Sequence, residues 1–197
     1  QTQWWSDQDA YLDGTGNLVL RMRRDGDAIR AGAIRTRRDW PFDDQILFDR
    51  AFGYFEVRAA FPVIPDGWGA FWLMPSGTDP YAVKQGSQGS EIDVFETIHS
   101  AKGWINHAIY WGSYGASRDV ADRPALYEGH HTVGLLWTAS EYVFYVDDVE
   151  TWRTTANDGV MQVPAYLKIT MEANPGAYEH LAEPRLLLVD YVRVYAP

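Results

Sequence analysis

In the segment Gly89-Ser-Glu91-Ile-Asp93-Val-Phe-Glu96-Thr97, three carboxylic acids are interleaved with three apolar residues. Carboxylates held close together cannot all ionise freely. Like charge raises one pKa, so that one group can act as an ionised nucleophile while another keeps a proton at the same pH. Spacing decides whether the acids meet. On a regular strand Glu91 and Asp93 share a face, and Glu96, five positions after Glu91, points to the other. A β-bulge between Asp93 and Glu96 adds one residue and returns Glu96 to the acidic face, leaving Ile92 and one or both of Val94 and Phe95 for the core. The two glutamate Cα atoms are then about four strand steps, roughly 13 Å, apart. Side chains leaning inward bring their carboxyls toward the ~5–5.5 Å that retaining glycoside hydrolysis uses. Spacing alone leaves two other readings open, an acidic solvent-facing strand and a calcium site.

Upstream, in Pro65-Asp-Gly-Trp68-Gly-Ala-Phe-Trp72-Leu-Met-Pro75, Trp68 and Trp72 have the same strand parity and present two rings along one groove. Indole faces suit the apolar C–H faces of sugar rings, and a place in the core is the alternative for each. Glu172 follows a strand and is within reach of a sugar hydroxyl, with a solvated turn acid as its other reading. Trp111, Trp104 and Tyr110 are cleft candidates, whereas Trp137 and Trp152 read as core or sheet edge. His99, His130, His131 and His180 show no metal-ligand spacing, and no zinc is expected.

The elements that must position these residues read as strands. In Phe52 to Phe61 the residues Gly53, Phe55, Val57, Ala59 and Phe61 alternate with Tyr54, Glu56 and Arg58. Thr132 to Trp137 and Tyr142 to Val146 are joined by Thr138-Ala-Ser140, and Asp147-Asp148 turns the second run into Val149 to Thr154. Arg185 to Tyr195 is a further β-rich run. Breakers fall at Pro62 to Gly67, Pro75 to Pro80, Gly86 to Ser90 and Asn174-Pro-Gly176. No helical period persists for three turns. The pattern predicts an all-β antiparallel sandwich, a jelly roll whose concave cleft accepts an extended polymer.

Composition narrows the partners. The 197 residues (22.4 kDa), 46% hydrophobic and 22% charged, predict a single domain over residues 1–197. A 15% aromatic share exceeds what such a core needs, so part of it is expected on a working surface. Net charge −10 excludes nucleic acid and anionic lipid as partners. No apolar run approaches a membrane span, so no membrane partner is expected. The Gln1 start carries no export signal and points to a processed product. Absent cysteines remove disulfides and thiolate chemistry. A monomer acting on a polysaccharide or oligosaccharide, with no cofactor needed for catalysis, is expected.

Taken in order, Phe52-Gly-Tyr-Phe-Glu-Val-Arg58, Gly67-Trp-Gly-Ala-Phe-Trp-Leu-Met-Pro75, Glu91-Ile-Asp-Val-Phe-Glu96 and Val189-Asp-Tyr-Val-Arg-Val-Tyr195 resemble glycoside hydrolase family 16. The acidic signature is similar to the bulged branch that includes laminarinases and agarases. The resemblance implies a jelly roll and a retaining endo-acting mechanism, on a β-1,3-glucan such as laminarin or, as alternative, a galactan; a transglycosylase or a non-catalytic binding module are the other readings. Carried over, Glu91 is the nucleophile, Asp93 its partner and Glu96 the acid/base. Trp68 and Trp72 match substrate-stacking positions, and His107 a histidine near the acid pair. A structural calcium away from the cleft would use Gly14 and Asp190. The family usually has proline where this chain has Gly69, and its usual first strand ahead of Trp4-Trp5 is expected to be missing. The resemblance implies an enzyme that is secreted, periplasmic or at the cell surface.

Overall fold

The computed structural model describes residues 3–38, 45–76, 88–123, 125–156 and 159–197. The turns expected at Pro75 to Pro80 and at Gly86 to Ser90 lie partly outside the described residues. In chain order the strands are β1 (Gln3–Trp5), β2 (Ala10–Leu12), β3 (Leu18–Asp25), β4 (Ala28–Ala31), β5 (Ala33–Arg35), β6 (Asp49–Arg50), β7 (Gly53–Ala60) and β8 (Gly67–Pro75). They continue as β9 (Glu91–Glu96), β10 (Ile105–Trp111), β11 (Tyr114–Val120), β12 (His131–Trp137), β13 (Tyr142–Val146), β14 (Val149–Thr154), β15 (Ala165–Ala173) and β16 (Arg185–Tyr195). Among the described residues the one α-helix is a single turn, Ala177–His180, and no helix is long and apolar enough to cross a membrane.

Two sheets share these strands. The first has the order β1-β4-β3-β16-β7-β12-β13-β14, with β2 also on β3; the second runs β11-β10-β9-β8-β15-β5, with β6 also on β15. Every pairing is antiparallel except that of β1 with β4. The segment Gln3–Trp5, ahead of which a strand was expected to be missing, is itself the strand β1. The alternation in β7 becomes one buried face, with Phe55, Val57 and Ala59 fully enclosed. Asp147 and Asp148 both take positive φ, 47° and 62°, the backbone of a tight two-residue hairpin between β13 and β14.

The core lies between the sheets. Phe55, Leu135, Trp137 and Phe144 of the first meet Phe71, Ile92, Phe95 and Ile109 of the second. Trp137 is fully buried and donates its indole N–H to the Met161 carbonyl at 3.0 Å; Trp152 sits on the outer strand β14, stacked on Phe144. The remaining face of the second sheet, away from this core, carries the acids.

Candidate active site

Strand β9 departs from regular pairing at one residue. On β8 the partners run Ala70↔Glu96 and Phe71↔Phe95, then Trp72↔Asp93 and Leu73↔Ile92. On β10 they run Asn106↔Glu96, then Ala108↔Asp93, Ile109↔Ile92 and Tyr110↔Glu91. Val94 therefore has no partner in either ladder and is the extra residue of a bulge, while Val94 and Phe95 are both fully buried. Apolar burial of two consecutive side chains is what the extra residue permits. The five sequence steps from Glu91 to Glu96 span only the four from Tyr110 to Asn106, so all three acids share the open face. Just beyond, the Thr97 hydroxyl accepts the Gly69 N–H at 2.8 Å and the Thr97 N–H donates to the Gly69 carbonyl at 3.0 Å. A proline at 69 has no N–H to give, which accounts for the absence of proline there.

In-register neighbours continue this face across the sheet. One row reads Ala108, Asp93, Trp72, Lys168, Arg35 across β10, β9, β8, β15 and β5; beside it lie Asn106, Glu96, Ala70, Thr170 and Ala33. Trp68 is paired with Glu172, so both tryptophans and Glu172 stand on the side of the acids. Trp72 donates its indole N–H to the Thr170 hydroxyl at 3.0 Å, and Thr170 donates in turn to Glu172 at 3.0 Å. The Lys168 ammonium lies 3.4 Å from the Trp72 ring centroid and 5.5 Å from that of Trp5. The floor thus offers indoles, an ammonium and carboxylates at strand spacing.

Burial and like charge divide the acids. Asp93, 3% exposed, is held well above the ordinary aspartate range by burial and then by the charges of Glu96, Glu91 and Glu172. Its Oδ2 has no protein partner. Glu96 is pushed up to about 7 by burial and then by Glu91 and Glu172. Glu91 is also raised by burial, with Glu172 adding to the shift, but the Lys168 ammonium pulls it back down. Of the two glutamates Glu91 alone has a cation favouring its ionised form, and Glu96 is the one poised to hold a proton near neutrality. Lys168 itself is lowered to about 8, chiefly by burial.

Two expected cleft residues stand elsewhere. His107 and Trp111 have the opposite parity on β10 to Asn106, Ala108 and Tyr110, and so face the core. His107 is fully buried with its ring 4.8 Å from that of Phe144, and Trp111 is 6% exposed in the apolar cluster. Tyr110 does reach the open face, opposite Glu91 and 40% exposed, lying across Gly115 of β11. Trp104 precedes β10, its ring against His99 and under the Lys102 ammonium. Among the described residues no three His, Asp or Glu gather as a metal site. Asp190 accepts a hydrogen bond from Arg58 at 2.6 Å, and Gly14 lies in a turn organised by Asp13. One carboxylate already matched by a guanidinium does not fit the oxygen-rich shell of calcium.

Sequence reasoning passed over Lys168 and Asn106. Lys168 shares parity with Thr170 and Glu172, a signal the sequence does contain. Asn106, 4% exposed, donates to Asp119 at 2.8 Å and leaves its Oδ1 without a protein partner beside Glu96.

Residues 5–182 match the sequence profile of Glycosyl hydrolases family 16. The chain is 30% identical over 155 residues to the endo-1,3-1,4-beta-glycanase ExsH of Rhizobium meliloti (strain 1021), covering 76% of this chain and 31% of that protein. It is 29% identical over 204 residues to the keratan-sulfate endo-1,4-beta-galactosidase of Sphingobacterium multivorum, covering 94% of this chain and 46% of that protein. It thus spans less than half the length of both relatives. Its fold superposes on a laminarinase from Flavobacterium sp. UMI-01 with a TM-score of 0.81 at 21% identity, over 98% of this chain and 84% of that one.

Proposed function

This chain belongs to glycosyl hydrolases family 16, and from that premise we propose that it is an endo-acting glycoside hydrolase that cleaves a β-linked polysaccharide with retention of configuration. The observation that carries the reading is the bulge at Val94, which brings Glu91, Asp93 and Glu96 to one face with unequal proton affinities. Glu91, whose ionised form the Lys168 ammonium favours, attacks the anomeric carbon. Glu96 gives its proton to the departing glycosidic oxygen, and a covalent glycosyl-enzyme forms as that C–O bond breaks. Glu96, now a carboxylate, takes a proton from water, whose oxygen displaces Glu91 and restores both acids. Asp93 holds its proton between them and limits the charge that Glu91 meets.

The polymer lies across the strands, with Trp68 and Trp72 as sugar platforms and Glu172 as a hydroxyl acceptor. A β-glucan with 1,3 linkages is the substrate read first, supported by the activity for which the R. meliloti relative is named and by the laminarinase fold match. A β-galactan is the second reading, favoured by the match over 94% of this chain to an enzyme named for keratan sulfate. Such polymers do not cross membranes unaided, so the enzyme is inferred to act outside the cell or at its surface, as a monomer. Release of reducing ends from laminarin, mixed-linkage glucan and keratan sulfate, with product analysis for transfer to added sugar, separates hydrolysis, transglycosylation and mere binding.

The assignment of Glu96 is tested by E96A. A sugar hydroxyl leaves only when protonated, whereas an activated aryl group departs unaided, so polysaccharide turnover should fall by about 10²–10⁴-fold while the aryl-glycoside burst survives. Azide should then enter the vacated space and give a glycosyl azide of retained configuration. A folded E96A with wild-type polysaccharide turnover would end the assignment.

A further inference from the structure

A bulge that turns an acid toward the cleft also takes a carbonyl out of the sheet ladder, and a buried carbonyl needs a donor. Here the extra residue is Val94, and the gap in the β10 register opposite it falls at His107. The His107 ring reaches into that gap. Its Nδ1 is 2.6 Å from the Val94 carbonyl, and its Nε2 is 2.9 Å from the Thr151 hydroxyl on β14 of the other sheet. A carbonyl only accepts, so Nδ1 carries the hydrogen. Burial lowers the His107 pKa to about 4, so the ring is neutral at working pH and Nε2 is left to accept. The Thr151 hydroxyl has one hydrogen and two acceptors in range, Nε2 at 2.9 Å and the Phe144 carbonyl at 3.2 Å. The shorter contact and the tautomer assign it to Nε2.

We propose that His107 is the positioning residue of the acid/base: it caps the carbonyl that the bulge leaves unpaired and, by tying that carbonyl to Thr151 across the sandwich, holds Glu96 on the cleft face. The geometry gives it a counterpart on the far side of Glu96, where Thr97 is bonded to Gly69 in both directions. Glu96 is thereby fixed from the residue after it and from two residues before it. Without the His107 clamp the Val94 carbonyl is a buried acceptor with no partner. The strand relieves that by sliding toward regular pairing, which rotates Glu96 away from the cleft. Packing against the tilted Phe144 ring, 4.8 Å between centroids, holds the ring orientation on which both bonds depend. His107 touches no substrate in this arrangement and acts through the backbone.

This inference rests on Glu96 being the acid/base. Two replacements separate the two bonds, since the amide nitrogen of Asn overlies Nδ1 and that of Gln overlies Nε2. H107N keeps a donor for Val94 and should retain most turnover. H107Q keeps a partner for Thr151 but not for Val94, and should lose kcat on the order of 100-fold, the scale of a misplacement of about 1 Å, with KM unchanged. Its alkaline limb should also move to lower pH, because Glu96 leaves the burial and the Glu91 and Glu172 charges that raise it. A role in packing alone would lower melting temperature and turnover alike in both variants with the pH profile intact, and that result would overturn the proposal. The wild-type enzyme supplies a test independent of folding: its imidazole ¹⁵N shifts should show hydrogen on Nδ1 from pH 5.5 to 8 (about the working range), and hydrogen on Nε2 would refute the clamp. An active E96A sinks the acid/base assignment by itself, whereas an inactive E96A beside a folded, fully active H107Q sinks only the clamp.

Discussion

Replacing Lys168 with Met keeps the length and the apolar contact with the two indoles but removes the cation that favours ionised Glu91. Lys168 is paired with Trp72 and Trp72 with Asp93, so the lysine stands two strands, about 9–10 Å, from the strand of the acids. At about 10 Å and an effective dielectric near 20, a unit charge pair is worth about 1.5 kcal/mol, a factor of about ten in the ionisation equilibrium. The sign follows directly. Glu91 must be ionised to attack, loss of the positive charge raises its pKa, and the acid limb of kcat/KM should rise by about one pH unit. Lys168 is absent from the influences on Glu96, so the alkaline limb, set near 7 by that group, should stay in place. The bell therefore narrows from the acid side only. Above about 8 the wild-type lysine has itself lost its proton, and the two enzymes should converge. Initial rates on the polysaccharide from pH 4 to 9 (spanning ordinary carboxylate to lysine-shifted titration) decide the matter. An unmoved acid limb in a variant with normal melting temperature, or a displaced alkaline limb, would refute this division of charge.

E91Q should lower turnover by more than about 10³-fold while polysaccharide binding persists, because the amide keeps the shape but cannot form the covalent intermediate. The same change removes one of several crowded buried acids, so the melting temperature should rise; scanning calorimetry beside a pull-down on insoluble polymer reads both. G115A places a methyl 2.4 Å from the Tyr110 ring without demanding a left-handed backbone. Stability should change little while the ring swings from its place opposite Glu91. A sugar contact of about 0.5–1.5 kcal/mol is then lost, seen as a several-fold rise in KM with kcat nearly unchanged. An unaltered KM would remove Tyr110 from the cleft floor.

Much of the scaffold was legible because its strands alternate. The runs Tyr142 to Val146, Val149 to Thr154 and Arg185 to Tyr195 occur as β13, β14 and β16 with those bounds, and Asp147-Asp148 makes the turn between the first two. Counting also located the bulge, since three acids at 91, 93 and 96 share a face only if one residue is extra. The same counting applied to β10 would have placed His107 correctly. Ile105, His107, Ile109 and Trp111 share one parity, three of them plainly apolar, and that parity is buried. Matching a family histidine near the acids set this local pattern aside. Lys168 was hidden for a different reason. Strand β15 alternates Leu167, Ile169 and Met171 with Lys168, Thr170 and Glu172, so the face of the lysine was readable, but what makes it matter is cross-strand pairing with Trp72 and approach to Trp5, neither of which is local in sequence. The two cases share one physical root. A residue's face follows from parity within its strand, but its chemistry follows from register with other strands. A single inserted residue such as Val94 changes that register for everything beyond it, which is why the acids were readable in isolation and the groups that tune and hold them were not.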